Sequence, residues 1–506
     1  MLDQLEAILK RHGPMLSSEL AKILRDEHGV SPQNARQKVS RRPEKIKSLA
    51  YLTFPRNARF LYLVSQYGSD YFWHKLISAL EQSSVAYARA LDCLYARDRF
   101  LPIKYFGIAS GSPLALKKHL SAESVLERFK KAEILHVFNI HGVGDCISLD
   151  RDIEIVTQRA NSAKMRFIAE KIALSAIQDW AKKLALGSAD SFKLRDNTGI
   201  QPRVGSFEWD LTAPSYITGL TQWSESKPAP GFLVCDILLI EDVPLSGVNP
   251  FIHKIKTLVN SSKKTKLLPI FVSFSFTLEA LGILRNNGVI PATLDSLFGK
   301  DISKSLKMLI GTLESLAFAA LDPDKLSELF EQLSHIEGAS GTLRGALFEY
   351  IVADLIRQTR IVKSLTMNKV FRENGKDLAE VDILIERNGY TTFIECKGHN
   401  PAVYASIEEV KKWFHETSTL RKIAEKNDMW KNTKLIFEFW TSGRLCHESI
   451  DFIENMKKSQ KSDKYEINIF GRDELREIVN SHADKPLKKV INQHFINYPL
   501  AIEKNS

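Results

Sequence analysis

From about residue 160 onward the chain switches repeatedly between two hydrophobic periods, the 3.6-residue spacing of a helix and the short apolar runs of a strand. The helical pattern AKMRFIAEKIALSAIQDWAKKLA leads to the strand-like SFEWDLT and PGFLVCDILLI, the helix NPFIHKIKTLVNS, the strand LLPIFVSFSF, the helix LEALGILRNNG and the strand VIPAT. Residues 341–480 follow nearly the same order. Helix GTLRGALFEYIVADLIRQT leads to strands AEVDILIERNG and TTFIECKG, helix SIEEVKKWFHETSTLRKIAEK, strand KLIFEFWTSG, helix IDFIENMKKSQ and strand YEINIFG. Strands alternating with helices imply a partly parallel sheet covered by helices. The two stretches read as one fold written twice, without long residue identity.

At 506 residues the chain is too long for one core. Domains of about 100–200 residues imply three or four here. A formal net charge of +10 favours a polyanionic partner, nucleic acid first. Cys93, Cys146, Cys235, Cys396 and Cys446 are scattered and form no C-x-x-C pair, which argues against a zinc site or disulfide framework and fits a reducing cytoplasm. The start, MLDQLEAILKRHG, reads as an amphipathic helix rather than a signal peptide. No apolar run approaches the roughly 20 residues that span a bilayer, so no membrane partner is expected. There is no G-x-x-x-x-G-K-[ST], so any translocation along a polymer would need a separate motor.

Residues 1–68 read as three helices and a hairpin. Leu2, Leu5, Ile8 and Leu9 space the first helix, and Ser17 is expected to cap SELAKILRDEHG, which stops at Gly29. In SPQNARQKVSRR, Ser31 takes the N-cap and Pro32 the first helical position, where a missing N–H costs nothing. Gln33, Arg36, Gln37, Ser40 and Arg41 are expected to share an exposed polar face. SLAYLTFPRNARFLYLV then supplies two apolar strands around a turn at Pro55–Asn57. This order resembles a winged helix. The resemblance implies a third helix able to enter a major groove and a wing whose Arg56 and Arg59 touch phosphates, although such modules also bind proteins. Residues 71–150 read either as a second unit of this kind or as a helical spacer.

The stretch FIECKGHN carries the chemistry. Glu395 and Lys397 lie two residues apart, hence on one face of a strand end. Asp382 stands in the preceding strand VDILI, and RNGY turns the chain so that Asp382 and Glu395 approach each other. Glu349, among apolar neighbours on the helix before, can be aimed at the same point. Converging acids repel and are costly to bury, but they suit a hard divalent cation. Mg²⁺ takes oxygen ligands and keeps several waters; Asp382, Glu395 and the backbone carbonyl of Cys396 can supply oxygens, with Mn²⁺ as a substitute. Lys397 would orient or help deprotonate an attacking water and offset charge on a scissile phosphate. Cys396 should point into the core and His399 into solvent. Lys411 and Lys412 can face DNA, whereas Trp413 is expected to pack.

Together, Glu349, Asp382, Glu395-Cys396-Lys397 and the helix–strand–strand–helix–strand order over residues 336–480 resemble the PD-(D/E)XK, or restriction-endonuclease-like, nuclease superfamily, most closely its Mrr-like and Holliday-resolvase-like branches. Val381 stands where the nominal signature has proline. The resemblance implies metal ligation by Asp382 and Glu395, a catalytic role for Lys397 and a helical acid at Glu349. In the first copy, Glu170, Asp210 and Asp236 take the corresponding places, but Leu238 stands where the lysine belongs, so this copy reads as degenerate.

The expected architecture is a multidomain α/β chain: a winged helix over 1–70, a second winged-helix-like or helical domain over 71–155, a degenerate nuclease-like domain over 156–310, a helical linker over 311–335 and the nuclease domain over 336–506. The expected function is Mg²⁺-dependent hydrolysis of DNA phosphodiesters in the cytoplasm, in restriction, phage defence, repair or element mobility. Dimerisation and partner proteins of such a system are compatible with it. The alternatives are a non-cleaving DNA-binding scaffold and an RNA-directed nuclease.

Overall fold

The computed structural model of the chain describes residues 3–116, 119–140, 143–196, 200–224, 227–261, 265–316, 322–333, 336, 339–373, 376–400, 403–459 and 465–496. It is a mixed α/β chain with several sheets. Its contacts divide it into two units, residues 1–164 with 177–297, and 165–176 with 298–506. Part of the expected 311–335 linker lies outside the described residues.

The first unit begins with α1 (Asp3–His12), β1 (Met15–Leu16), α2 (Ser17–Asp26), α3 (Pro32–Ser40), β2 (Ile46–Ser48) and β3 (Phe60–Leu63), with the sheet ordered β1-β3-β2. Leu9, Leu20, Leu24, Ala35, Val39 and Leu61 form its core. The Ser31 hydroxyl accepts the Asn34 N–H at 3.4 Å and Pro32 opens α3, as expected. Ser17 does not cap α2. It is the first helical residue, and its hydroxyl accepts the Arg59 N–H at 3.0 Å, tying the loop before β3 to the helix start. The Glu19 carboxylate instead accepts the Leu16 N–H at 3.1 Å. The expected strand through Tyr51 ends at Ser48, and Tyr51 takes left-handed backbone angles that a strand does not tolerate.

After α4 (Asp70–Glu81) the same connection order recurs: α5 (Val85–Tyr95), β4 (Phe100–Pro102), α6 (Phe106–Ser110), α7 (Ala122–Lys131), β5 (His136–Ile140) and β6 (Gly144–Ser148), with the sheet ordered β4-β6-β5. In both modules the first strand pairs antiparallel with the last, which forms a hairpin with the middle one.

The long helix α8 (Ile153–Lys183) precedes a five-stranded sheet built from β7 (Lys193–Leu194), β10 (Leu211–Ser215), β13 (Gly231–Ile237), β14 (Leu267–Ser273) and β15 (Ile290–Thr293). The ribbons β8 (Arg203–Val204) with β9 (Phe207–Glu208), and β11 (Gln222–Ser224) with β12 (Lys227–Ala229), interrupt it. The helices α9 (Leu245–Ser261) and α10 (Leu278–Asn286) pack on it through Phe251, Ile255, Leu258 and Leu284. The expected strand SFEWDLT is therefore two elements, β9 and β10.

In the second unit, α11 (Leu294–Phe298, which straddles the boundary), α12 (Lys300–Leu316) and α13 (Pro323–Leu333) precede α14 (Ala339–Thr359). Then come β16 (Ser364–Glu373), β17 (Lys376–Arg387), β18 (Tyr390–Lys397), the short β19 (Tyr404–Ala405), α15 (Ile407–Lys426), β20 (Lys434–Thr441), the short β21 (Arg444–Leu445), α16 (His447–Ser459), β22 (Tyr465–Phe470), α17 (Arg472–His482) and α18 (Lys485–Ile491). The five-stranded sheet is ordered β16-β17-β18-β20-β22. Its first three strands are antiparallel neighbours and its last two are added in parallel. The first unit's sheet, β7-β10-β13-β14-β15, has the same order and the same directions.

Candidate active site and basic groove

Asn388 and Gly389 link β17 to β18, with Arg387 paired to Tyr390 and Gly389 at φ +76°. The ladder runs up to Ile383 opposite Ile394. One further step brings Asp382 opposite Glu395, at the carboxyl end of β18, where open α/β sheets place their sites. The Cys396 N–H donates to Asp382 Oδ2 at 2.6 Å, and Lys397 Nζ donates to Glu395 Oε1 at 2.5 Å. The next residue, Gly398, lets α14 come close: a Cβ there would be driven into the Arg344 carbonyl oxygen. That approach brings Glu349 on α14 near enough for its charge to act on Asp382.

Asp382 is 2% exposed. Burial, then the charges of Glu395 and Glu349, hold its carboxyl well above the usual carboxylate range, against the opposing pull of Lys397. Burial pushes the Lys397 ammonium down, but Glu395 and Asp382 more than offset this and raise it on balance. An ammonium held against Glu395 fits the orienting and charge-offsetting roles expected of Lys397. The side chains of Lys397 and Glu395 are 35% and 12% exposed, so the site opens to solvent on the lysine side.

Cys396 is buried and burial holds its thiol up, as a core residue requires. Trp413 packs in the core against Phe439, while Lys411 and Lys412 are exposed. His399 is half-buried rather than solvated, with Nε2 3.3 Å from Glu409 Oε2.

Sequence reasoning missed Glu416. This residue of α15 lines a small cleft with Glu395 and Glu380. Burial first, then Glu395, raises its carboxyl, and Lys412 and Lys397 pull it down. Its position one turn beyond Lys412 and Trp413 was the available signal.

No group of three or more His, Cys, Asp or Glu stands in metal-holding geometry among the described residues. The donor set at β18 is smaller, two carboxylates and the Cys396 carbonyl. That suits Mg²⁺, which uses one or two carboxylates and fills the rest of its octahedron with water and phosphate oxygens. All the donors are oxygen, and a divalent cation would relieve the repulsion that weighs on Asp382.

Comparison of the sequence with family models, with curated proteins and with solved structures gives no match.

The first sheet treats its counterpart residues differently. Its ladder ends at Leu211 opposite Cys235, so Asp210 and Asp236 occupy the places that Asp382 and Glu395 hold in the second. The Ile237 N–H donates to Asp210 Oδ2 at 2.8 Å, as the Cys396 N–H does to Asp382. Leu238, at the lysine position, is buried. Arg195 Nη1 meets Asp210 Oδ1 at 3.0 Å and Lys254 Nζ meets Asp236 Oδ2 at 2.5 Å. Burial raises Asp236 to about 6 against the pull of Lys254, and lowers Lys254 itself. Glu170, expected as the helical acid of this copy, lies instead in the stretch of α8 that belongs to the second unit, where its Oε1 stands 3.7 Å from Arg166 Nε.

At the N-terminus, Gln33, Arg36, Gln37, Ser40, Arg41, Arg56 and Arg59 are all exposed. On α3, Gln33, Arg36, Gln37, Ser40 and Arg41 share one face, opposite the buried Ala35 and Val39, as expected. Arg36, Ser40, Arg56 and Arg59 line a groove with Lys22, Arg25 and Arg42. Gln37 and Arg41 line another groove beside Gln4. A step of about 100° per residue puts 36 and 40 at one edge of this face and 37 and 41 at the other, with 33 between them. Lys22, Arg25 and Arg42 join the groove only through the packing of α2 and α3, which the sequence does not display.

Proposed function

We propose that the chain is a divalent-metal-dependent endonuclease of the PD-(D/E)XK kind, which hydrolyses DNA phosphodiesters at the end of β18 and captures DNA with a winged-helix module at its N-terminus. The observation that carries this reading is the meeting of Asp382, Glu395 and Lys397 at one strand end, with the charge of Glu349 reaching the same point. Such a cluster stabilises no fold, because its acids repel, and it suits attack on a phosphodiester.

Asp382, Glu395 and the Cys396 carbonyl would hold the ion, which supplies charge neutralisation at the scissile phosphate when bound. Lys397, braced by Glu395, presents its ammonium to a phosphate oxygen and steadies charge as water attacks phosphorus and one P–O bond breaks. Glu349 can accept a hydrogen bond from the attacking water and orient it. In this reading the expected place of work is the cytoplasm, in defence or repair.

The basic groove supports DNA as the polymer. Arg56 and Asn57 sit at φ 53° and 57° at the loop tip. Non-glycine residues in this region cost on the order of 1–3 kcal/mol each and persist where function or packing requires them. Both residues line the groove. Arg56→Ala/Arg59→Ala should weaken binding about equally on all duplexes. It should also lower the slope of log K against log salt by about 1.8, the worth of two phosphate contacts. Fluorescence anisotropy over a salt series checks this, and an unchanged slope would take the loop out of the interface.

The substrate class is tested by incubating the protein with end-labelled duplex DNA, single-stranded DNA and RNA, in Mg²⁺ and in EDTA. Cutting of DNA in Mg²⁺ and none in EDTA is expected. Cutting of RNA alone would make the chain an RNA nuclease. DNA binding without cutting, in Mg²⁺ or Mn²⁺, would make it a scaffold and defeat the proposal.

A further inference from the structure

We propose that the first sheet contains a divalent-cation site which the chain has closed with its own cation, and that Lys254 is the residue that keeps metal out. The idea rests on the reading of the second sheet only for the comparison with Asp382 and Glu395; the contacts that carry it lie within the first unit.

Lys254 reaches the sheet from α9 and is 0% exposed. An ammonium has three donors, and here each has an oxygen: Asp236 Oδ2 at 2.5 Å, the Glu208 carbonyl at 2.9 Å and the Ile108 carbonyl at 3.4 Å. The Trp209 ring lies 4.1 Å from Nζ and covers it. One carboxylate and two carbonyl oxygens around a buried positive charge is the surrounding that a hard metal ion also selects.

The backbone beneath repeats the second sheet. The two acids stand at equivalent ladder positions, and in each sheet the residue after the second acid donates its N–H to the first. The cations differ. In the second sheet Lys397 projects from the strand itself and its side chain is 35% exposed. In the first, the strand offers Leu238, and positive charge comes from Lys254 on a helix and from Arg195, both sealed from solvent. A phosphate or water cannot reach an ammonium so enclosed, so Lys254 is no substitute for Lys397. It stands where the ion would be.

The test is the number of Mn²⁺ ions bound by the full-length chain, measured by titration calorimetry and by electron paramagnetic resonance. Asp382→Asn silences the second sheet, and this variant should bind none. Adding Lys254→Gln keeps a donor toward Asp236 and the Glu208 carbonyl while removing the charge. That double variant should bind one Mn²⁺ and melt at a higher temperature with Mn²⁺ than without. Adding Asp236→Asn should abolish both effects. A folded Asp382→Asn/Lys254→Gln protein that binds no Mn²⁺ overturns the proposal. So does Asp382→Asn with Lys254 intact, if it binds one Mn²⁺ that Asp236→Asn removes; this measurement does not depend on how well a Lys254 variant folds. The two readings fail separately. If the wild type binds no Mn²⁺ but Asp382→Asn/Lys254→Gln gains one, the second sheet's assignment falls and the closed site stands. If the wild type loses its one ion with Asp382→Asn and the Lys254 variant gains none, the reverse holds.

Discussion

Lys397→Ala should bind DNA and Mn²⁺ as the wild type does, yet cut on the order of 10²–10³-fold more slowly, the usual loss when a preorganised charge stabiliser is removed. The ammonium is 2.5 Å from Glu395 and partly open to solvent, so it can meet a phosphate without rearrangement of the strand. Its loss removes charge stabilisation that matters most as the phosphate reacts, which lowers kcat rather than raising KM. Lys397→Arg should recover only part of the rate, because a planar guanidinium spreads the charge that an ammonium concentrates. Single-turnover cleavage at saturating enzyme reads this directly. Equal rates for wild type and Lys397→Ala would remove the lysine from the chemistry.

Asp382→Asn and Glu395→Ala should each abolish Mg²⁺-dependent cutting, since each deletes one of the two carboxylates available to the ion. Their effects on stability should differ from those of Asp382→Ala. Asparagine keeps an oxygen for the Cys396 N–H, which Asp382 accepts at 2.6 Å. Alanine leaves that buried donor unmet, at a cost of about 1–3 kcal/mol. The Asp382 carboxyl is held up by burial and by Glu395 and Glu349, so the folded state disfavours its ionised form. A carboxyl raised on folding leaves stability intact below its unfolded pKa and reduces it as pH rises toward its folded one. Asp382→Asn should therefore melt higher than the metal-free wild type at neutral pH. The gain should shrink as pH falls below the ordinary carboxylate range, where Asp382 is protonated in both states. Melting curves in EDTA at several pH values check the sign; a lower melting temperature for Asp382→Asn at neutral pH would contradict it.

The strand-borne part of the site was legible because strand periodicity is strict. Two residues apart on β18 means one face, and Asn388-Gly389 leaves little choice of register, so Asp382 and Glu395 had to meet. Glu349 was legible from the apolar positions around it on α14. Other features were not. β16 was missed because Ser364, Thr366 and Asn368 give an edge strand a polar face, and its backbone is irregular at Asn368 and after Phe371. Ser17 has the composition of a cap, yet its hydroxyl serves a residue across the module. Glu416, Lys22, Arg25 and above all Lys254 depend on which helix packs where, and a lysine on a largely apolar helix carries no mark of the acid it will meet. The two grooves that flank the polar face of α3 show the same limit, because helical spacing places residues around an axis but not against neighbours.

The most direct measurement uses supercoiled plasmid with wild type and Asp382→Asn, purified side by side, in Mg²⁺ at neutral pH. The site described here predicts nicked and linear DNA from the wild type and untouched supercoils from Asp382→Asn, whose fold and DNA binding remain. Identical outcomes for the two proteins, whether both cut or neither does, would contradict it.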